Sequence, residues 1–85
     1  MYMKYTFTNH CLRMMKKLPK QVQRRIISKL EYFSIQDNPL VFATPIVGNG
    51  PGSYRFRIGE YRVVFDVKED WIIVTVVGHR REVYK

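Results

Sequence analysis

Ser53-Tyr54-Arg55-Phe56-Arg57-Ile58-Gly59-Glu60-Tyr61-Arg62-Val63-Val64-Phe65 is built around one dipeptide. On either side of Gly59-Glu60 the side chains repeat with a period of two, the pattern of a half-buried strand. A Gly-x step between two such runs is a two-residue hairpin turn. That turn pairs Ile58 with Tyr61, Arg57 with Arg62 and Phe56 with Val63. Because side chains alternate across a sheet, Tyr54, Phe56, Ile58, Tyr61, Val63 and Phe65 share one face, and Arg55, Arg57 and Arg62 share the other. The first set forms a core. The second sets Arg57 directly opposite Arg62, and like charges facing each other in a sheet cost about 0.2–1 kcal/mol. The fold gains nothing evident from that pairing. A bound anion would remove the conflict, and splaying of the two long side chains into water would relieve it as well.

Working outward, the period-two pattern predicts strands at 53–58, 60–67 and 71–77, with a short piece near 82–84 and a turn at Lys68 to Asp70. Strand 71–77 returns antiparallel to its predecessor, so Gly78-His79-Arg80-Arg81 emerges beside Arg62 and Arg57. Five arginines (Arg55, Arg57, Arg62, Arg80 and Arg81) and His79 then gather toward one end of a small sheet, with Tyr84 following. Arginine grips phosphate with two parallel hydrogen bonds and tyrosine stacks on bases, so the cluster suits RNA. Toward the N-terminus, Met3 to Thr8 reads as a first strand. Asn9 is placed to cap a helix running to about Leu18, with Cys11, Leu12, Met15 and Leu18 inward. Pro19 opens a second helix whose Val22, Ile26, Leu30 and Phe33 draw one apolar stripe. Asp37 to Gly52 carries turn signals and reads as a mobile loop beside the sheet. Its glycines lack the order of a phosphate-cradling or dinucleotide-binding fingerprint. The expected architecture is one α+β domain over residues 1–85: a small antiparallel sheet with two N-terminal helices packed on one face.

Composition bounds the function. A chain of 85 residues supports one modest core, burying about 60% of its unfolded surface. Its 46% apolar content argues against disorder. Fifteen Lys and Arg against seven Asp and Glu give a net charge of +8. Such a surface attracts polyanions, with nucleic acid first, an acidic protein second and anionic lipid third. Seven bases and no acid lie between Arg13 and Lys29. That stretch is either a solvated helix face or a surface for RNA phosphates, with Lys16, Lys17 and Lys20 as the contacts in the second case. Cys11 is the only cysteine, which rules out an intramolecular disulfide, and with two isolated histidines there is no zinc set. No metal and no cofactor are expected. Trp71 to Val77, the longest apolar run, is too short to span a bilayer, and the N-terminus lacks the apolar stretch of a signal peptide, so the expectation is a cytoplasmic protein without a membrane partner.

The hairpin from Ser53 to Phe65 resembles the central hairpin of the RelE/ParE toxin superfamily, and Val77-Gly78-His79-Arg80-Arg81-Glu82-Val83-Tyr84 resembles the ending of its RelE branch. The first strand, two helices and loop match the family layout, so the resemblance covers nearly the whole chain. It implies the toxin of a toxin–antitoxin pair, an endoribonuclease that enters the A site of the 70S ribosome and cuts messenger RNA without a metal. The 2′-hydroxyl attacks the adjacent phosphate, leaving a 2′,3′-cyclic phosphate and a 5′-hydroxyl. It also implies a cognate antitoxin as partner. The resemblance implies that Arg55 and Arg57 line the scissile phosphate, that Arg62 matches the arginine opening the next strand and Arg80 the arginine after the Gly-x step, and that Tyr84 stacks on a base. Arg81 and His79 lie in the same motif. Some relatives carry lysine at positions 55 and 57, where arginine stays protonated and makes a poor proton acceptor. His79 is then the internal candidate for proton transfer, histidine being the side chain that titrates near neutrality; the other reading is that positioning and charge stabilisation carry the rate. Two alternatives share the fold: a ParE-like toxin that inhibits DNA gyrase by binding, and a non-catalytic member that binds RNA or only its antitoxin.

Overall fold

Stripes of two different periods, one on helices and one on strands, have to find each other for this chain to fold. The computed structural model describes residues 3–48 and 52–83. In chain order they form β1 (Lys4–Phe7), α1 (Asn9–Lys16), α2 (Lys20–Ser34), a 3₁₀ turn (Pro39–Phe42), β2 (Ala43–Pro45), β3 (Tyr54–Ile58), β4 (Tyr61–Lys68), β5 (Trp71–His79) and the single helical turn α3 (Arg80–Val83). The sheet order is β1-β5-β4-β3-β2. Cys11 and Met15 of α1 and Ile26, Leu30 and Phe33 of α2 bury themselves against Phe56, Ile58, Val63, Phe65, Ile72, Val74 and Val77 of the sheet. This is the expected α+β arrangement, with the hairpin registered as Ile58–Tyr61, Arg57–Arg62 and Phe56–Val63.

Aromatic packing ties the layers together. Phe33 of α2 lies 4.6 Å from Phe56 between ring centroids, Phe56 lies 4.4 Å from Phe65, and Tyr54 lies 5.6 Å from Phe65. Each such pair adds about 0.5–1.5 kcal/mol to the area that it buries. The column runs from helix to β3 to β4, so it locks the hairpin register as well as the layer contact.

Several local expectations are corrected. The sheet is mixed, because β1 pairs parallel with β5, Tyr5 opposite Ile72 and Phe7 opposite Val74. The chain crosses over through both helices before returning, and β1 thereby covers backbone groups that β5 would otherwise leave unpaired. Thr8, not Asn9, caps α1: its backbone is extended and its Oγ1 accepts from the Cys11 N–H at 3.1 Å. Leu12 is 43% exposed instead of inward, since the turn of α1 that faces the sheet is spent on Cys11 and Met15. The helix stops at Lys16 because Pro19 disfavours helical backbone in the residue before it. Asp37 to Gly52 is more than a loop. It contains the 3₁₀ turn and the edge strand β2, which pairs Ala43 with Phe56 and Pro45 with Tyr54. A three-residue strand containing proline leaves no period to read, and proline is tolerated there because the strand is at the edge. Gly52 is needed where the chain re-enters the sheet, as a Cβ would lie 2.7 Å from Val64 Cγ1 and 3.0 Å from the Phe65 carbonyl. The strand piece expected near 82–84 is helical through Val83, and residue 84 lies outside the described residues.

One irregularity controls the far end of the sheet. Between β4 and β5 the register shifts at Val64/Phe65: Val64 faces Val76 whereas Phe65 faces Val74. Thr75 is thus an extra residue on β5, and its Oγ1 donates to the Val64 carbonyl at 3.3 Å. A bulge of this kind reverses which side chains point inward. Ile72 and Val74 enter the core before it, and Val77 enters after it.

Two predictions test this core. Phe56→Ala should cost about 3–5 kcal/mol, a large part of a total of about 5–15 kcal/mol, measured by urea denaturation; a loss under about 1 kcal/mol would contradict the aromatic column. The Cys11 thiol is buried, and desolvation pushes its pKa up to about 11. Thiolate is the reactive form, so iodoacetamide at pH 8 should leave Cys11 unmodified in the folded protein and label it fully in denaturant. Rapid labelling without denaturant would contradict the burial.

Candidate functional site

The β3–β4 turn is the centre of the site. Gly59 has φ 61° and Glu60 has none of the positive φ seen at Gly59, the pattern of a type II′ turn, whose first central position favours glycine. Beyond the turn, Arg62 pairs with Arg57 on one side and with Gly78 on the other. Arg62 is only 6% exposed. A buried charge needs polar partners, and the turn supplies them: Arg62 Nη1 donates to the Gly59 carbonyl at 3.3 Å and to the Tyr61 carbonyl at 3.2 Å. Among the described residues no carboxylate pairs with it. The guanidinium is therefore held by the turn while its charge stays uncompensated by any described acid.

Arg80 is tied to the same turn from the other side. Its N–H donates to the Glu60 carbonyl at 2.8 Å, and its Nε lies 2.9 Å from Glu60 Oε2. Arg57 and Arg81 are exposed, and Arg55 is half-buried two residues along β3 from Arg57, on the same face. A further cation reaches this end from α2: a Cβ on Gly59 would lie 3.4 Å from Arg25 Nη1. In the sequence Arg25 is one base of a basic helical stretch, because an approach between a helix and a remote turn leaves no mark in local spacing.

His79 stands apart from the outer arginines. It pairs with Tyr61, so it shares the inner, helix-side face, whereas Arg57 and Arg62 share the outer face. Its ring meets Tyr61 edge-on at 5.6 Å, and its Nδ1 accepts from the Arg81 N–H at 3.3 Å. With Met14, Lys17, Leu18, Tyr61, Val77 and Gly78 it lines a cavity of about 470 Å³. The expected single cluster is thus divided: the strand arginines Arg55, Arg57 and Arg62 share the outer face, and His79 and Lys17 line a cavity on the inner one. Lys16, Lys17 and Lys20 are all exposed, as are the other four bases from Arg13 to Lys29. Tyr84 lies outside the described residues. Among the described residues no three of His, Cys, Asp and Glu are grouped closely enough to hold a metal ion, and no helix is long and apolar enough to cross a membrane.

The asymmetry between Arg62 and Arg57 predicts different costs. Arg62→Ala should destabilise the protein by about 1–3 kcal/mol, because it empties a buried site and frees two carbonyls of the turn. Arg57→Ala should lie within about 0.5 kcal/mol of wild type or slightly above it, since it removes the like-charge pair. Equal losses in urea denaturation would contradict the buried placement of Arg62.

Comparison with known proteins bears on the fold and the family. The profile of the family described as the ParE toxin of type II toxin–antitoxin system, parDE, matches residues 5–84. Among solved structures, the fold is similar to a chain of the RelBE2 toxin–antitoxin complex from Mycobacterium tuberculosis, with a TM-score of 0.73 and 22% identity over 94% of this chain and 100% of that one. It is similar to a chain of the archaeal RelE–RelB complex from Pyrococcus horikoshii, with a TM-score of 0.71 and 24% identity over 94% and 97%. It also resembles a chain of the RelB–RelE antitoxin–toxin complex from Methanococcus jannaschii, with a TM-score of 0.70 and 26% identity over 92% and 93%. No curated protein matches the sequence. A five-stranded sheet with two helices on one face, and a family profile running from residue 5 to residue 84, make this chain a toxin of the RelE/ParE superfamily, in the ParE toxin family of type II toxin–antitoxin systems.

Proposed function

We propose that the chain is a ribosome-dependent messenger-RNA endonuclease whose phosphate site is the outer face of the β3–β4 turn. The observation that carries this reading is the convergence of Arg57, buried Arg62 and Arg80 on one turn, with Arg62 lacking a described acidic partner. In the reaction the 2′-oxygen forms a bond to phosphorus and the bond to the 5′-oxygen breaks. The 2′-hydroxyl gives up a proton and the leaving oxygen gains one. Arg62 and Arg80 stabilise the negative charge that grows on the phosphoryl oxygens, Arg62 more strongly because its surroundings are largely free of water. Arg55 and Arg57 line the phosphate, and Tyr84 stacks on a base. His79 lies on the opposite face of the sheet, so this reading assigns the rate to positioning and charge stabilisation instead of a histidine base. Lys16, Lys17 and Lys20 contact ribosomal RNA phosphates. The partner that silences the toxin is a cognate antitoxin, as in the RelB–RelE complexes that share the fold.

The ParE profile favours a second reading, inhibition of DNA gyrase by binding. Programmed ribosomes separate the two. The protein should cut messenger RNA within translated codons and leave 2′,3′-cyclic phosphate ends. It should leave the same RNA intact without ribosomes, and it should not inhibit supercoiling. Intact messenger RNA with inhibited gyrase would move the assignment to the second reading.

Salt dependence tests the lysines. Neutralising Lys16, Lys17 and Lys20 together should weaken ribosome binding and flatten its log–log salt slope by about 0.7–0.9 per lost phosphate contact. An unchanged slope would return these residues to a solvated face.

A further inference from the structure

The Glu60–Arg80 pair sits where an acid is least expected. Glu60 occupies a turn approached by Arg25, Arg62 and Arg80, and its carboxylate pairs with the last of them. A carboxylate here repels the phosphate that the arginines would bind. It also adds little stability, as the Arg80 and Glu60 side chains are 47% and 62% exposed, and exposed pairs are worth about 0–1 kcal/mol. Its contacts are nevertheless specific: Glu60 holds Arg80 twice, by backbone carbonyl to N–H at 2.8 Å and by carboxylate to Nε at 2.9 Å.

We propose that Glu60 is a positioning residue, a clamp that orients the Arg80 guanidinium for the phosphate. This rests on the endonuclease reading above. A guanidinium presents five N–H donors in a planar fork, with one bidentate edge at Nε and another between the two Nη atoms. Glu60 takes Nε and leaves the Nη–Nη edge uncommitted among the described residues. Fixing the fork beforehand removes much of the side-chain ordering cost that binding would otherwise incur. The same turn holds Arg62 through the Gly59 and Tyr61 carbonyls, so three consecutive residues aim two arginines that lie 18 positions apart in the chain. Glu60 acts on the phosphate only through Arg80.

The test uses Glu60→Ala, Glu60→Gln, Arg80→Ala and the Glu60→Ala/Arg80→Ala double variant. Each is measured for single-turnover cleavage on programmed ribosomes and for ribosome affinity, and the exchange rate of the Arg80 Nε–H is read by NMR in the free protein. In the wild type that proton should exchange more slowly than the Arg57 Nε–H. In Glu60→Ala the difference should vanish, and in Glu60→Gln it should persist in part. Glu60→Ala should cut about two- to fivefold more slowly while binding ribosomes as tightly as wild type or more so, a split that general unfolding would not produce. The double variant should be no slower than Arg80→Ala, since a residue acting through another adds nothing once that one is gone. An Arg80 Nε–H that exchanges as fast as that of Arg57, a wild-type rate in Glu60→Ala, or losses that multiply in the double variant would each overturn the clamp. If the wild type cuts nothing on ribosomes while the Arg80 proton is protected by Glu60, the endonuclease reading fails and the clamp as a structural fact survives it.

Discussion

Gly59, at φ 61°, sets the register on which the remaining structure depends. A two-residue turn at that position places Phe56 against Val63 and Arg57 against Arg62. A slip of one residue would turn the aromatic column into solvent and the arginines into the core, because the side-chain period of a strand is two. The contacting rings of Phe33, Phe56 and Phe65 then hold that register from the inside. The core and the charged face are two consequences of one turn, because a change of register would move both together.

The bulge at Thr75 matters as much to the layout of this end of the sheet as the turn does. It lets Ile72 and Val74 face the helices at the start of β5, and Val77 at its end. It therefore decides that Gly78 falls on the outer face beside Arg62, and that His79 falls on the inner face beside Tyr61. Gly78 is thus the residue that faces the buried Arg62 across the β4–β5 pairing. The β5 strand thus ends by sending Arg80 back to the turn and His79 away from it. The two surfaces that result have different characters: an outer one where Arg62 is tied to backbone carbonyls, and an inner cavity walled by two rings and a lysine.

The strong periodic segments were legible in the sequence and the rest was not, for reasons that are physical. The hairpin was readable because its period, its turn residue and its charge pattern all agree, and α2 was readable because Val22, Ile26, Leu30 and Phe33 repeat along one stripe. The parallel pairing of β1 was hidden, since four residues carry no statement about strand direction. The edge strand β2 was hidden by its length and by Pro45. The side of the sheet taken by His79 was hidden because it depends on a bulge whose residue, Thr75, looks like any other strand threonine. Arg25 and Glu60 were hidden differently: both were visible as charges, but their importance lies in contacts with a turn and a strand end. In the site, Arg57, Arg62 and Arg80 converge as their register implies, and His79 does not join them.

The central claim is that the outer face of the Gly59–Glu60 turn is a phosphate site. It is tested most directly by titrating the protein, at low salt, with a short RNA carrying 2′-O-methyl groups that block attack, and following backbone and arginine side-chain resonances. The account predicts that shifts concentrate at Arg57, Arg62, Gly78 and the Arg80 Nε–H. Shifts confined to Lys17, Tyr61 and His79, on the inner cavity, would contradict it.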